Sequence, residues 1–220
     1  MKVIAINGSA RKNGNTAQLL NNALRGAADQ GAETELIHLY GLNFRGCSSC
    51  FSCKLKGGNH GTCAMKDDLT PVLEAIKEAD GLILGSPNYY TNISSSMQAL
   101  LERLLFSNVI YSNEIPTVFP KPLPNGFIYN MNVPKEQYEM MGLGNHYQMM
   151  LMSLMMVLRQ KPMTLYSYNT YQFSDYSKYE HSMFSESQKA AYKEAQFPKD
   201  CEAAYEMGKK IAQKAAALKK

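Results

Sequence analysis

Three cysteines sit at every third position in Cys47-Ser-Ser-Cys50-Phe-Ser-Cys53, and a fourth follows at Cys63. C-x2-C-x2-C is ferredoxin-like spacing, in which a short loop presents several thiolates to one iron–sulfur cubane. Zinc sites more often pair two separate C-x2-C hooks, and only one dense group occurs here. Three chemistries therefore stand open. One is a [4Fe–4S] cluster on Cys47, Cys50, Cys53 and Cys63. The second is a set of small buried or redox-active thiols without metal, and the third is a structural zinc. The nine residues between Cys53 and Cys63, KLKGGNHGT, form a glycine-rich arm. Cys201 stands apart and reads as structural.

A second stretch points to an anion. Asn7-Gly-Ser-Ala-Arg-Lys-Asn-Gly-Asn-Thr16 lies between a short apolar run and an alanine- and leucine-rich segment. In a strand–loop–helix arrangement, free backbone N–H groups and the helix dipole attract negative charge. Ser9, Asn13, Asn15 and Thr16 add side-chain donors, and Arg11 adds charge. Gly8 and Gly14 let a ligand approach the backbone. The pattern is neither a P-loop nor GxGxxG, and it suits one terminal monophosphate. The plainer alternative is a turn capped by Asn15 or Thr16.

A third stretch, Ser86-Pro-Asn-Tyr-Tyr90, leaves another apolar run. Pro87 stiffens it, and Tyr89 and Tyr90 are able to flank a flat ring. A core aromatic pair at a strand end is the alternative. Asp67 and Asp68 read as helix-capping residues rather than catalytic carboxylates. His60, His146 and His181 lack partners at metal spacing.

The elements that would position these groups alternate. Strands are expected at Lys2–Ile6, Glu33–Leu39, Gly81–Gly85, Phe127–Met131 and Met163–Tyr168. Helices are expected over Ala17–Gln30, from Asp67 or Asp68 to about Ala79, over Ser94–Phe106, and over most of Lys135–Arg159 with an interruption at Gly142 and Gly144. The last forty residues end in helix, broken near Pro198. Near-continuous apolar strands alternating with helices predict one parallel sheet covered on both faces. Five strands favour the α/β flavodoxin-like three-layer sandwich of order 2-1-3-4-5, with ligands at the carboxyl ends of the strands. One domain over residues 1–220 is expected, with a cysteine-rich loop at 45–66 and a C-terminal helical extension at 186–220.

Bulk properties narrow the class. The chain has 220 residues, 45% hydrophobic and 19% charged, with a net charge of +4. Lys209, Lys210, Lys214, Lys219 and Lys220 crowd the end, so much of the excess is a solvated tail and nucleic acid is not an expected partner. The longest apolar run, Met149–Leu158, is too short to span a bilayer. It reads as a core helix or a subunit contact, for which methionine is well suited. With no export signal in the first residues, a cytoplasmic setting with reduced thiols is expected.

GSARKNGNT, SPNYYTNISSSMQALLER, CSSCFSC…GTCAMKDD and NTYQFSDYSKYEH together resemble the flavodoxin-like NAD(P)H-dependent FMN reductase family, and within it the iron–sulfur flavoprotein branch. The gap between Cys53 and Cys63 is longer than that branch generally has. The resemblance implies FMN phosphate on Ser9, Arg11, Asn15 and Thr16, and the isoalloxazine ring against Pro87, Asn88, Tyr89 and Tyr90. It suggests a third contact near Asn130 and Met131. The tyrosines from Tyr166 to Tyr179 would cover the flavin or pack the sheet edge. It also implies NAD(P)H as co-substrate, a homodimer or homotetramer, and a small-molecule acceptor or redox carrier protein as partner. The expected function is an FMN-dependent NAD(P)H oxidoreductase, with a [4Fe–4S] cluster as one option for the cysteines. The alternatives are a non-catalytic electron-transfer flavoprotein reduced by a partner, and a binding module without flavin.

Overall fold

The computed structural model describes residues 1–57 and 60–219, and of His146 the backbone alone. Gly58, Asn59, Lys220 and the His146 side chain lie outside the described residues. The elements follow in chain order as β1 (Lys2–Asn7), α1 (Asn15–Ala28), β2 (Glu33–His38), α2 (Leu69–Glu78), β3 (Gly81–Pro87) and α3 (Ser95–Asn108). Then come β4 (Asn125–Asn130), α4 (Lys135–Met140), α5 (Leu143–Leu158), β5 (Met163–Ser167), α6 (Glu186–Ala195) and α7 (Phe197–Leu218). The five strands form one sheet of order β2-β1-β3-β4-β5, with every neighbouring pair parallel. This is the flavodoxin-like order expected from the alternating pattern.

Side-chain alternation divides the core. Ile4, Ile6, Leu82, Leu84, Phe127 and Tyr129 point to one face and pack with α2, α3 and α5. Val3, Ala5, Ile83 and Ile128 point to the other and pack with α1 and α7. Burying both faces is what makes the strands read as continuous apolar runs. The central strand β3 is buried at every position, whereas the edge strand β2 is partly exposed.

Boundaries differ from expectation in ways the packing explains. β4 starts at Asn125 rather than Phe127, because Leu82 N–H donates to Pro124 O and Asn125 pairs with Leu82. Gly14, not Asn15 or Thr16, stands at the N-cap of α1. Asp67, one residue outside the N-cap of α2, accepts from Leu69 N–H at 3.1 Å, while Asp68 accepts from Asn43 N–H at 2.8 Å. The interruption between α4 and α5 falls at Gly142, whose φ is +65°, and Gly144 lies inside α5. In α5, Leu151, Leu154, Val157 and Leu158 face the core, while Met149, Met152, Met155 and Met156 are exposed.

The C-terminal helix is seated on α1 by two glycines. A Cβ on Gly26 would stand 2.0 Å from Tyr205 O, and one on Gly208 would stand 1.7 Å from Ala23 O. Only backbone without side chains allows that approach. At the amino edge of the sheet, Asp80 ties the chain ends together. It accepts from Lys2 N–H at 2.8 Å and pairs with Lys121 at 3.0 Å and Lys219 at 2.7 Å. Burial alone would raise its pKa, but these donors outweigh it and hold the carboxyl at about 2.

A depressed carboxyl pKa adds stability above its unfolded value, and that stability fades as pH falls through the folded value. Asp80→Asn is therefore expected to destabilise the fold by about 1–2 kcal/mol at neutral pH, allowing for solvent screening of the two lysines. The gap between variant and parent should close as pH falls from about 4 toward about 2. Urea unfolding at several pH values measures it, and a gap that does not change with pH contradicts the assignment.

Candidate functional site

β1, β3 and β4 all end on one edge of the sheet, and their exit loops meet there. Asn7 sets the first loop: its Oδ1 accepts from Ser9 N–H at 2.9 Å, and its Nδ2 lies 2.9 Å from His38 Nδ1. Ser9 Oγ then accepts from Arg11 N–H at 3.1 Å. The loop enters α1 at Gly14 with no side-chain cap. The first-turn N–H groups of a helix have no intrahelical partner. Here Thr16 and Ala17 in that turn are each 1% exposed. A buried, uncapped helix start is suited to an anion.

The second loop is held against the first and the third. Gly8 N–H donates to Gly85 O at 2.8 Å, and Asn88 N–H donates to Asn130 O at 2.9 Å. Beyond Asn88 the chain turns through Tyr90 and Thr91, with φ of +47° and +69°. Tyr89 and Asn92 close this turn with paired backbone bonds of 2.7 and 3.0 Å. Two central residues at positive φ make it a type I′ hairpin turn, which normally uses Asn or Gly.

Between the loops lies a cavity of about 130 Å³, lined by Ser9, Arg11, Gly14, Asn15, Thr16, Pro87, Asn88, Tyr89 and Asn130 among others. It therefore brings together nine of the eleven sequence-derived cofactor residues. Asn13 lies instead on an adjoining cavity of about 420 Å³, which shares Arg11, Gly14, Asn15 and Gln172 with the first. Tyr90 lines neither and its side chain is fully exposed. The amide oxygens of Asn88 and Asn132 are buried on the cavity wall without a protein partner. Orphaned buried polar groups are rare in native folds and call for an occupant. These oxygens are acceptors and so call for a donor, such as a ribityl hydroxyl or ring N–H of a flavin, while the uncapped helix start is suited to its phosphate.

Asn132, Thr170 and Gln172 also line the cavity. Thr170 and Gln172 lie in the NTYQFSDYSKYEH stretch, which marked the region without giving either a role, and for Asn132 only its place just after β4, on the carboxyl edge, could have signalled it. The segment at 170–172 crosses the phosphate loop: Arg11 Nη1 donates to Gln172 O at 2.5 Å and Asn15 Nδ2 to Tyr171 O at 3.0 Å. Thr16 Oγ1 donates to Asn130 Oδ1 at 2.5 Å.

The four clustered cysteines line one small pocket of about 10 Å³, with Glu102, Arg103 and Phe106 of α3. Among the described residues, no group of three or more His, Cys, Asp and Glu side chains is arranged to hold a metal ion. The thiols share a pocket without being drawn into a ligand set, and all five cysteines are free. Gly46 brings the loop onto α3: a Cβ there would lie 2.5 Å from Glu102 Oε2, which accepts from Cys47 N–H at 3.1 Å. Arg103, 1% exposed, donates to Asp67 Oδ1 and Oδ2 at 2.8 and 2.6 Å and to the carbonyls of Arg45 and Met65. It thus fastens both ends of the cysteine loop. Lys54 donates to the carbonyls of Phe106 and Val109. Hydrogen bonds from Ser52 lower the pKa of exposed Cys50, whereas burial raises that of Cys53.

Comparison with known proteins is consistent with this geometry. An iron–sulfur flavoprotein of Methanocaldococcus jannaschii is 43% identical over 103 residues, covering 47% of this chain and 51% of that protein. One from Archaeoglobus fulgidus is 34% identical over 105 residues, covering 48% of this chain and 46% of that protein. The chain thus matches about half the length of these relatives. The solved NAD(P)H:quinone oxidoreductase from Methanothermobacter marburgensis superposes with a TM-score of 0.70 at 14% identity, covering 95% of this chain and 98% of that one. That likeness speaks for the fold alone. The family model for NADPH-dependent FMN reductase matches residues 1–117, a span that takes in the phosphate loop, the cysteine loop and the turn after β3. On a match over more than half of its length, the chain belongs to the NADPH-dependent FMN reductase family, with relatives among the iron–sulfur flavoproteins.

Proposed function

We propose that this protein is an FMN-dependent NAD(P)H oxidoreductase built as one flavin-binding domain over residues 1–220. The observation that carries the reading is the buried, uncapped start of α1 opening on a cavity with two orphaned amide oxygens. Ser9, Arg11, Asn13, Gly14, Asn15 and Thr16 would hold the phosphate. Pro87, Asn88, Tyr89, Tyr90 and Asn130 would hold the rest of the flavin. Bound FMN would supply the chemistry, taking electrons from a reduced nicotinamide and passing them to a quinone, a free flavin or a carrier protein. The chain's own residues bind and orient it, and no nucleophile or paired carboxylate is needed. Among the described residues, no helix is long and apolar enough to cross a membrane. The free thiols favour a cytoplasmic setting. The exposed methionine face of α5 beside an apolar hollow of about 550 Å³ supports a homodimer or homotetramer.

Replacing Asn15 and Thr16 together by alanine is expected to weaken FMN binding about tenfold or more, as for lost charge-assisted hydrogen bonds. Fluorescence titration with FMN measures it, and unchanged affinity removes the phosphate assignment. Steady NADH or NADPH oxidation that depends on added FMN supports the enzyme. Flavin that only a partner protein reduces supports an electron carrier instead, and a protein that stays colourless with FMN overturns both.

A second reading adds a [4Fe–4S] cluster on Cys47, Cys50, Cys53 and Cys63. Its support is that all four thiols line one pocket with Arg103, while Ser49 and Phe51 hold φ of +55° and +57°. Left-handed residues alternating along a loop turn successive N–H groups to one side, as in anion nests at iron–sulfur sites. Anaerobic reconstitution should then give about four iron and four sulfide per chain. Absence of iron after reconstitution would leave the thiols metal-free.

A further inference from the structure

Lys189 is a buried cation that the flavin reading leaves without a role. It lies on α6 and is 1% exposed. Its Nζ donates to Asn132 O at 2.8 Å and to Asn169 Oδ1 at 3.0 Å. The ring of Phe184 lies 5.1 Å from the amine. Both hydrogen-bond acceptors are neutral, so no carboxylate among them accounts for burying the charge. Burial lowers its pKa to about 8. A buried lysine with neutral partners is unusual and demands an explanation.

Its two partners belong to the two segments that close the candidate flavin cavity. Asn132 is on the cavity wall, after β4. Asn169 begins the segment that crosses the phosphate loop, and it does so at φ +47°, a left-handed conformation that asparagine adopts more readily than most residues. Three further bonds hold that start in place. Asn169 N–H donates to Val133 O at 2.9 Å, and Thr170 N–H and Oγ1 donate to Met131 O at 2.9 and 3.1 Å. The segment then reaches the phosphate loop, where Arg11 and Asn15 donate to the carbonyls of Gln172 and Tyr171. A continuous chain of contacts thus runs from Lys189 through Asn169 to the residues proposed to hold a phosphate. All of it except the phosphate loop lies beyond residue 117, outside the span that the family match covers.

We propose that Lys189 is a positioning residue that holds the strap at 169–172 over the phosphate loop, and so gives the site its preference for a phosphorylated flavin over the same flavin without phosphate. The inference rests on the flavin reading above. The strap orients Arg11 and Asn15, which would meet the phosphate. A ligand lacking phosphate gains from neither.

The test compares FMN with riboflavin on the full chain. Lys189→Met keeps the length and apolar stem but removes the charge and both bonds. It is expected to raise the Kd for FMN about tenfold and leave that for riboflavin unchanged, so the ratio of the two falls. Lys189→Arg, which keeps the charge, should restore part of the ratio. Asn169→Gly removes the acceptor without penalty for positive φ, and should shift the ratio the same way if Lys189→Met does not fold. Equal shifts for both flavins, or none, overturn the proposal. A parent chain that binds neither flavin overturns the flavin reading and the preference with it. Amide exchange on the same samples still decides the strap: faster exchange at 169–172 in Lys189→Met supports it, and unchanged exchange overturns it.

Discussion

The 2.8 Å hydrogen bond from Gly8 N–H to Gly85 O joins the exit of β1 to the carboxyl-terminal half of β3, and the candidate site is assembled around it. A Cβ on Gly8 would lie 2.9 Å from Ser94 Oγ and 3.0 Å from Met97 Cβ. The absence of a side chain there lets the phosphate loop lie directly on the start of α3. Ser86 Oγ accepts from Ser94 N–H at 2.9 Å, and Ser94 in turn caps α3 through Met97 N–H. One close backbone approach therefore fixes the phosphate loop, the turn after β3 and the entry of α3 relative to one another.

From that entry α3 carries the geometry onward. Its first turn faces the candidate flavin loops, and Arg103 and Phe106 in its second half wall the cysteine pocket. Arg103 grips the cysteine loop at Arg45 and at Met65–Asp67, and Lys54 closes on the last carbonyls of the helix. From Ser94 to Arg103 is nine residues, or roughly 14 Å at the rise of an α-helix. The candidate phosphate loop and the cysteine loop are thus set apart by a rigid element rather than by a flexible linker. A buried guanidinium pinned to a carboxylate resists displacement, because freeing either partner leaves an uncompensated charge.

What the sequence made legible follows from how directly each element depends on local pattern. The strands could be placed because both faces of the sheet are covered, which forces long apolar runs such as Gly81–Gly85. The phosphate loop and the turn after β3 could be placed because they sit at the switch between β1 and β3. Asn132 and Lys189 were not legible, and Thr170 and Gln172 were legible only as part of the NTYQFSDYSKYEH stretch, since their roles arise from tertiary contacts between segments far apart in the chain. The tyrosines show the same limit. Tyr166 and Tyr168 join a buried stack with Tyr129, Tyr138 and Tyr147, in which Tyr129 lies 4.2 Å from Tyr147 and 5.1 Å from Tyr166 between ring centroids. Tyr171 of the strap instead packs with Tyr176, which together with Phe173 and Tyr179 forms a separate aromatic group. One aromatic-rich segment serves two layers, and composition does not reveal where the division falls.

The turn at Tyr90 and Thr91 bears on the same question from the side of strain. Holding a side-chain-bearing residue in the left-handed region costs on the order of 1 kcal/mol, and two in succession roughly double it. The paired bonds between Tyr89 and Asn92, with Asn92 Oδ1 accepting from Ile93 N–H at 2.8 Å, keep the turn closed. Yet the residue placed at its tip, Tyr90, is bare to solvent and packs on nothing that would offset the strain by burial. A glycine or asparagine would satisfy the turn at lower energy. The strain is therefore not offset by burial, and it falls one residue beyond Tyr89, which lines the cavity between the loops after β1, β3 and β4.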